Sequence, residues 1–222
     1  MVRKKVETFS GVPCNKASKY IEGCRVQLSW IGEKSMSNTT TKMYKKKTIS
    51  EGFTVVYRLN HTDGELSNYE CNYMDESESL LLSEWVREAH SFFMGVGIVL
   101  TRKGFNLVDN KGAFVLDKFY DGMLGYSDGY IRVQDRDQGT NFIDTSGKVL
   151  SETWFLDAMP FFEGFSRVRL KGSRLYNFMN TKGELLLAEG VEKVCDFCGG
   201  LARVKVGHKG WLSIDTTGKI IS

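Results

Sequence analysis

Short apolar runs alternate with polar turns along the carboxy-terminal two thirds of the chain, and the alternation has a fixed period. Segments 106–112, 141–147, 177–183 and 212–218 each place an apolar run before an Asp or Asn and a closing glycine. Those glycines are 35, 36 and 35 residues apart. A second pattern keeps the same spacing: an aromatic residue precedes a glycine and a valine lies four residues after it, at Gly129, Gly164 and Gly200. Such a period predicts stacked copies of one small unit.

Each unit reads as a set of short strands. In residues 141–176, apolar runs of four to six residues are separated by turn residues, which is typical of successive antiparallel hairpins. Asp144 is placed to accept hydrogen bonds from backbone amides two residues on, and Asp109, Asn180 and Asp215 occupy the same position. We therefore predict an all-β array of stacked antiparallel β-hairpin repeats with the shape of a solenoid-like superhelix. A closed β-propeller is the alternative.

The period also predicts the domain organisation. The repeat array covers residues 72–222, with units at about 72–105, 106–140, 141–176 and 177–211 and a part-unit at 212–222. Residues 1–71 form a basic amino-terminal region that is partly a degenerate repeat or a cap, because the terminal units of a stack are atypical. A short helix is expected at 78–90, where apolar residues from Leu82 to Ala89 recur at helical spacing. The matching segment around Trp154 leaves a strand as the alternative.

The repeated segments resemble the WG-repeat family, whose units carry a pattern like Trp-Gly-Phe-Ile-Asp-x-x-Gly followed later by Glu-Gly-Leu-Ala-x-Val. The first slot is filled at 105–109, 140–144, 176–180 and 211–215, and the second at 163–168 and 200–204. The tryptophan-glycine dipeptide itself does not occur, and Asn106, Asn141 and Asn177 take the glycine position. Asparagine tolerates positive φ, so we expect the backbone geometry to be kept. The resemblance implies a binding or scaffolding array without a cofactor.

Composition and charge narrow the class of protein. The chain has 222 residues with 41% hydrophobic and 26% charged residues, which is ordinary for a globular protein. We expect no membrane span, because no apolar run approaches 18 residues, and no secretory signal, because an apolar core is missing near the amino terminus. The 5 cysteines, an odd number, favour a reducing compartment, so a cytoplasmic location is predicted.

The charge is unevenly distributed. Residues 1–49 hold 11 lysines and arginines against 3 acidic residues, whereas residues 50–222 hold 19 against 24. Such a basic region can contact nucleic acid or another polyanion, or it can fold back on its own acidic body. The densest cluster, and a candidate binding site, is Lys45, Lys46 and Lys47.

A ladder of arginines provides a second candidate binding site. Arg132, Arg167 and Arg203 each precede the repeated valine, so if the valines face the core, the arginines face outward. Three stacked guanidinium groups can bind carboxylates or phosphates of a partner. The alternative is pairing with nearby acids such as Glu163 and Asp128.

Other chemistry-bearing residues favour structural roles. Cys195 and Cys198 have the spacing of a zinc or redox site, but two further ligands are not evident. Both fall in slots that hold apolar residues in other units, so we expect them to pack in the core. The recurrent Trp85, Phe119 and Trp154 are expected to form buried contacts between units.

The sequence thus predicts a non-enzymatic intracellular adaptor or protein-interaction module that presents one face of the array. The three histidines do not recur and no nucleophile motif is present, so no catalytic residue and no metal site are assigned. Nucleic-acid binding through residues 1–49 is the first alternative function. A hydrolase with an acidic groove is the second.

Overall fold

The computed structural model describes residues 28–36, 39–59 and 69–221, with side chains described at 49–58 and 69–221. The strands in this part are β1 Leu28–Met36, β2 Thr39–Ser50, β3 Phe53–Leu59, β4 Tyr69–Met74, β5 Glu88–Ala89, β6 Val96–Thr101, β7 Gly104–Asp109, β8 Gly122–Ser127, β9 Tyr130–Asp135, β10 Gly139–Ile143, β11 Asp157–Ala158, β12 Phe165–Arg169, β13 Tyr176–Asn180, β14 Lys193–Val194, β15 Leu201–Val206 and β16 Gly210–Asp215. A single 3₁₀ turn, Gly207–Lys209, precedes β16.

The described strands form five small antiparallel sheets in chain order. The first has the order β1-β2-β3-β4, and the others are β5-β6-β7, β8-β9-β10, β11-β12-β13 and β14-β15-β16. The prediction of an all-β array of antiparallel hairpin repeats is confirmed. None of the described residues forms a helix long and apolar enough to cross a membrane.

The sheets are offset from the units that the sequence period suggests. Each strand that begins a sequence unit is the last strand of the preceding sheet: β10, for example, pairs with β9. The chain then turns and returns along the outer edge of β10, which it contacts through two isolated bridges, Ile143 to Val149 and Thr140 to Phe155. The returning segment leads into the next sheet, so consecutive sheets share backbone hydrogen bonds. Strand β4 likewise spans the predicted boundary at residue 71 and pairs with β3.

Side chains from consecutive sheets form shared apolar clusters. Phe142 of β10 packs with Phe155, Phe161 and Val168, which belong to the following sheet and to the segment that leads into it. The rings of Phe142 and Phe161 are 4.7 Å apart, and two equivalent pairs, Tyr73–Phe92 and Phe178–Phe197, are each 4.8 Å apart. Each of these contacts buries an aromatic ring between consecutive sheets, so the described sheets share their apolar clusters with their neighbours.

The expectation that Trp85, Phe119 and Trp154 are buried is wrong, although Trp154 does stack on Tyr120 of the preceding repeat. All three are only half-buried. The following residue in each repeat, Val86, Tyr120 or Phe155, is the buried one because it forms the bridge to the preceding strand. The half-buried rings lie at the rim of the cores, where one face reaches solvent.

The repeated asparagines have a different role from the predicted one. Asn106, Asn141 and Asn177 lie in strands, are at most 1% exposed and are not among the residues with positive φ. In Asn141, Nδ2 donates to the carbonyls of Ser151 (2.8 Å) and Thr153 (3.1 Å), and Oδ1 accepts from the amide of Phe142 (2.8 Å). The buried amide therefore hydrogen-bonds the returning segment to β10, and glycine has no side chain that could do so.

No helix forms at 78–90, so that prediction is wrong. Residues Leu80 and Val86 instead form bridges to Met74 and Cys71 of β4, and only Glu88–Ala89 is a strand. The segment is the returning segment of its repeat. Its backbone amides and carbonyls bond to a neighbouring strand, which excludes helical hydrogen bonding.

The turns after the repeated strands have the predicted geometry. Asp144 Oδ1 accepts from the amides of Ser146 (2.8 Å) and Lys148 (3.0 Å), and Asp109 does the same with Lys111 and Ala113 (both 2.9 Å). Gly112 has φ of 82°, and a Cβ there would collide with the carbonyl oxygen of Leu81 in the preceding returning segment. This turn therefore needs glycine both for its conformation and for stacking of adjacent repeats.

A second set of turns lies at the hairpin tips, which we call tip turns. They comprise residues 51–52, 94–95, 128–129, 163–164 and 199–200. Both residues of each tip turn have positive φ, from 47° to 89°, as in a type I′ turn. Non-glycine residues occupy the first position in four of them, which is energetically unfavourable without a compensating contact.

Candidate binding groove

A concave surface in the described part lies between the first two sheets, and we call it the inter-repeat groove. Its volume is about 1480 Å³. It is lined by the ends of β3, β4 and β6, the segment 80–88 and the segment around Phe114 and Phe119. Both charged and aromatic side chains face it.

Cations stack on aromatic rings along this groove. The guanidinium of Arg58 lies 4.6 Å from the centre of the Trp85 ring and also bonds to the carboxylate of Glu70 (2.9 and 2.6 Å). Lys103 Nζ lies 5.8 Å from the Phe119 ring, which meets Phe114 edge to face at 5.5 Å. Phe114 is 53% exposed. The groove thus contains aromatic rings over which the charged groups of Arg58 and Lys103 lie.

Two arginines at the groove have guanidinium groups without an ion-pair partner among the described residues. Within the described residues, neither Arg87 nor Arg102 makes an ion pair, and both are exposed. The backbone amide of Arg87 bonds to the carbonyl of Leu100 (2.7 Å), which places the two arginines on adjacent strand ends. Glu84 and Glu88 also line the groove, and Glu88 lies 4.0 Å from His90. Free guanidinium groups beside aromatic rings suit carboxylate-bearing ligands.

The predicted arginine ladder lies at matching positions on β9, β12 and β15, and two of its members contact the next repeat. Arg132 donates to the carbonyl of Ala158 (3.0 Å), and its side chain is 18% exposed. Arg167 Nε lies 2.5 Å from the Asp196 carboxylate. Arg203 is exposed and lies 5.2 Å from the Trp211 ring. Glu163 and Asp128, the suggested acidic partners, bond instead to tip-turn amides. Binding of a partner by these arginines stays a prediction.

The other basic candidates lie on β2. Lys45 pairs with Ser29 of β1 and Val56 of β3, and Lys46 pairs with Leu28. The β2–β3 register shifts between Lys45 and Ile49, a stretch that includes Lys47. The side chains of these lysines, and residues 1–27, lie outside the described residues, so binding there also stays a prediction.

The expectation that Cys195 and Cys198 pack in the core is wrong, because both are exposed. Their repeat slots were assigned correctly, but these slots face outward: Leu124 and Met159, which match Cys195, are 52% and 38% exposed. The buried residue is the neighbouring Phe197. Across the described residues, no group of three or more His, Cys, Asp or Glu side chains is arranged to hold a metal ion.

Sequence reasoning missed the inter-repeat groove. Its residues come from positions 58 to 119, which span more than one repeat period, so the sequence alone does not show that they meet. The recurrence of Trp85 and Phe119 is the signal in the sequence, but it also fits core packing. Their half-buried position turns these rings into part of a surface.

Comparison with known protein families gives a match within the repeated region. Residues 142–173 match the family model described as WG containing repeat. The predicted resemblance to the WG-repeat family is confirmed over these residues. The matched stretch runs from β10 to the hairpin after β12, so it contains the returning segment, one tip turn and the Phe142–Phe161 contact. No curated protein matches the chain.

Several solved structures are similar over most of this chain. BamB from Moraxella catarrhalis is 10% identical, with 88% of this chain and 90% of that chain covered and a TM-score of 0.37. The WD40 β-propeller domain of Doa1 is 7% identical, with coverage of 89% and 72% and a TM-score of 0.33. AztD from Citrobacter koseri is 11% identical, with coverage of 88% and 71% and a TM-score of 0.33. Because each TM-score is below 0.5, no functional conclusion follows from them.

Proposed function

We propose that the WG-repeat array is a non-enzymatic protein-interaction module that binds a segment of a partner protein in the inter-repeat groove. The observation that carries this proposal is the coincidence of half-buried aromatic rings with two unpaired arginines in one concave surface of the described residues. Tryptophan, tyrosine and arginine dominate the binding energy of many protein interfaces. A rigid array also presents such a surface at little entropic cost.

The charge of the groove indicates the chemistry of the partner segment. Arg58 is neutralised by Glu70, so Arg87, Arg102 and Lys103 are the cations available to a ligand. We expect carboxylates of the partner to bond to these groups while apolar side chains pack on Phe114 and Phe119. Contacts of this kind are strong when the ligand shields them from water.

Site-specific photocrosslinking tests this proposal. A photoreactive phenylalanine analogue replaces Phe114 in the groove, and the same analogue replaces Leu156, which is 50% exposed on another sheet, as the control. Crosslinking in cells of the native host, followed by mass spectrometry, identifies the captured proteins. We expect a defined partner captured from position 114 and not from 156. Equal capture from both positions would contradict a role for the groove.

A charge-reversal pair adds a second measurement on the captured partner. Arg87→Glu with Arg102→Glu is expected to abolish the crosslink from position 114. Arg174→Glu with Lys182→Glu, at exposed sites outside the groove, is expected to leave it unchanged. An unchanged crosslink in the first pair, with the fold intact by circular dichroism, would refute recognition through these cations.

A further inference from the structure

Acidic side chains in one tip turn accept hydrogen bonds from backbone amides of the tip turn in the next repeat. Glu51 accepts from the amides of Met94 (2.7 Å) and Gly95 (2.8 Å), one with each carboxylate oxygen. Glu163 binds the amides of Gly199 (2.9 Å) and Gly200 (3.0 Å) in the same way. Asp128, which is one methylene shorter, reaches the amide of Gly164 (2.9 Å). Three different repeats thus use a tip turn as a carboxylate-binding site.

One tip turn in the middle of the array has no such carboxylate. The turn at 128–129 follows the turn at 94–95, whose first residue is Met94 and has no acidic group. Within the described residues, the amides of Asp128 and Gly129 make no hydrogen bond to a carboxylate. Their positive φ values, 47° and 89°, match those of the turns that bind one.

The surface around this turn is apolar and exposed. Phe93, Met94 and Leu124 are 48%, 58% and 52% exposed, and the Phe93 ring lies 4.4 Å from that of Tyr126. Two repeats further on, Glu163 occupies the position of Met94, and its carboxylate bonds to the amides of the tip turn that follows. An exposed apolar cluster beside free turn amides therefore combines two features of a peptide-binding site.

The lowered pKa of Glu163 supports binding of an anionic group at a tip turn. Hydrogen bonds from the amides of Gly200 and Gly199 hold the pKa of Glu163 below its ordinary value. Asp128 stands beside the 128–129 amides just as Glu163 stands beside those of 163–164, which nevertheless bind a carboxylate. A neighbouring acid in the tip turn is therefore compatible with anion binding there.

We propose that the tip turn at 128–129 binds a glutamate side chain of a partner polypeptide, whose apolar neighbours pack on Phe93, Met94 and Leu124. A glutamate side chain is the proposed ligand because Glu51 and Glu163 occupy the equivalent position in other repeats. Each bonds to the turn amides through both carboxylate oxygens. This site is separate from the inter-repeat groove, which lies at the opposite ends of the hairpins. It does not depend on the function proposed for that groove.

The test is an NMR titration of the ¹⁵N-labelled full chain with the peptide acetyl-Leu-Glu-Leu-amide. Acetyl-Leu-Gln-Leu-amide and sodium acetate serve as comparison ligands. We expect saturable downfield shifts of the Asp128 and Gly129 amide protons with the glutamate peptide, weaker binding of acetate and no such shifts with the glutamine peptide. Equal responses to both peptides would overturn carboxylate recognition, and acetate binding as tight as the peptide would overturn the apolar contacts.

Substitution of Met94 provides a test that needs no ligand. Met94→Glu should supply the carboxylate internally, shift the same two amide protons without peptide and abolish the peptide response. Met94→Gln is the matched control and, without peptide, should leave those two amide shifts as in the original chain. If Met94→Glu folds but leaves the Asp128 and Gly129 amides unshifted, the proposed equivalence of the tip turns is wrong.

Discussion

Removal of the buried side-chain amide of Asn141 should destabilise the array by more than the loss of one hydrogen bond. In Asn141→Ala, the carbonyls of Ser151 and Thr153 lose their donor and the amide of Phe142 loses its acceptor. Asn141 is 0% exposed, so water replaces these bonds only if the returning segment moves away from β10. The change therefore acts on the connection between two sheets.

The magnitude follows from the three lost hydrogen bonds. A hydrogen bond contributes a net ~1 kcal/mol, and a buried group left without a partner costs ~1–3 kcal/mol. The Phe142 amide is buried, whereas the two carbonyls are nearer to solvent, so we expect a loss of roughly 2–4 kcal/mol in the free energy of unfolding. Asn141→Asp should cost more at neutral pH, because a buried carboxylate would face two carbonyl oxygens.

Urea denaturation followed by circular dichroism measures this prediction. Asn110→Ala, in the exposed turn after β7, is the matched control and should change the free energy of unfolding by less than about 0.5 kcal/mol. The Asn141→Asp substitution should become less damaging in acid, as the introduced carboxyl is protonated. A loss below about 0.5 kcal/mol in Asn141→Ala would refute the role assigned to the buried amide.

Three further predictions concern the tip turns, a buried hydroxyl and the thiols. The pKa of Glu163 is lowered from its ordinary 4.5, so its contribution to stability is present above that pH and is lost as the pH falls through the folded-state pKa. Glu163→Gln should thus be less stable than the original chain at pH 7 but equal to it in strong acid, as measured by urea denaturation; a difference independent of pH would contradict this. Tyr126→Phe should raise the free energy of unfolding by about 1 kcal/mol, because the tyrosine hydroxyl is buried without a hydrogen-bond partner among the described residues; a loss of stability would count against it. Cys195 and Cys198 should react quickly with iodoacetamide in the folded protein, whereas burial raises the pKa of Cys71 to about 12 and should protect it; peptide mapping by mass spectrometry distinguishes them.

Features set by local geometry could be predicted from the sequence. Asp109 and Asp144 form the predicted turns because an acid and a glycine three residues later are sufficient to define them. The period itself is a property of the chain, so the succession of short antiparallel strands followed from it. These inferences did not depend on which faces of neighbouring repeats meet.

Features that depend on contacts between repeats were missed. The spacing from Leu82 to Ala89 fits a helix, but the backbone of that segment bonds to β4 instead. Asn141 was assigned a local conformational role, although its partners lie ten and twelve residues away. Cys195 occupies an apolar slot that faces outward, and burial cannot be read from residue type in such a slot. The groove likewise arises only when two sheets are placed side by side.

A double-mutant cycle between Phe142 and Phe161 tests most directly whether neighbouring sheets share one interior. Each is changed to leucine, singly and together, and the free energy of unfolding is measured for all four chains. We predict a coupling energy of about 0.5–1.5 kcal/mol, as expected for aromatic rings in contact. Phe142 with Phe197, one repeat further on, should show additive effects. Additive effects in the Phe142–Phe161 pair would contradict the shared interior.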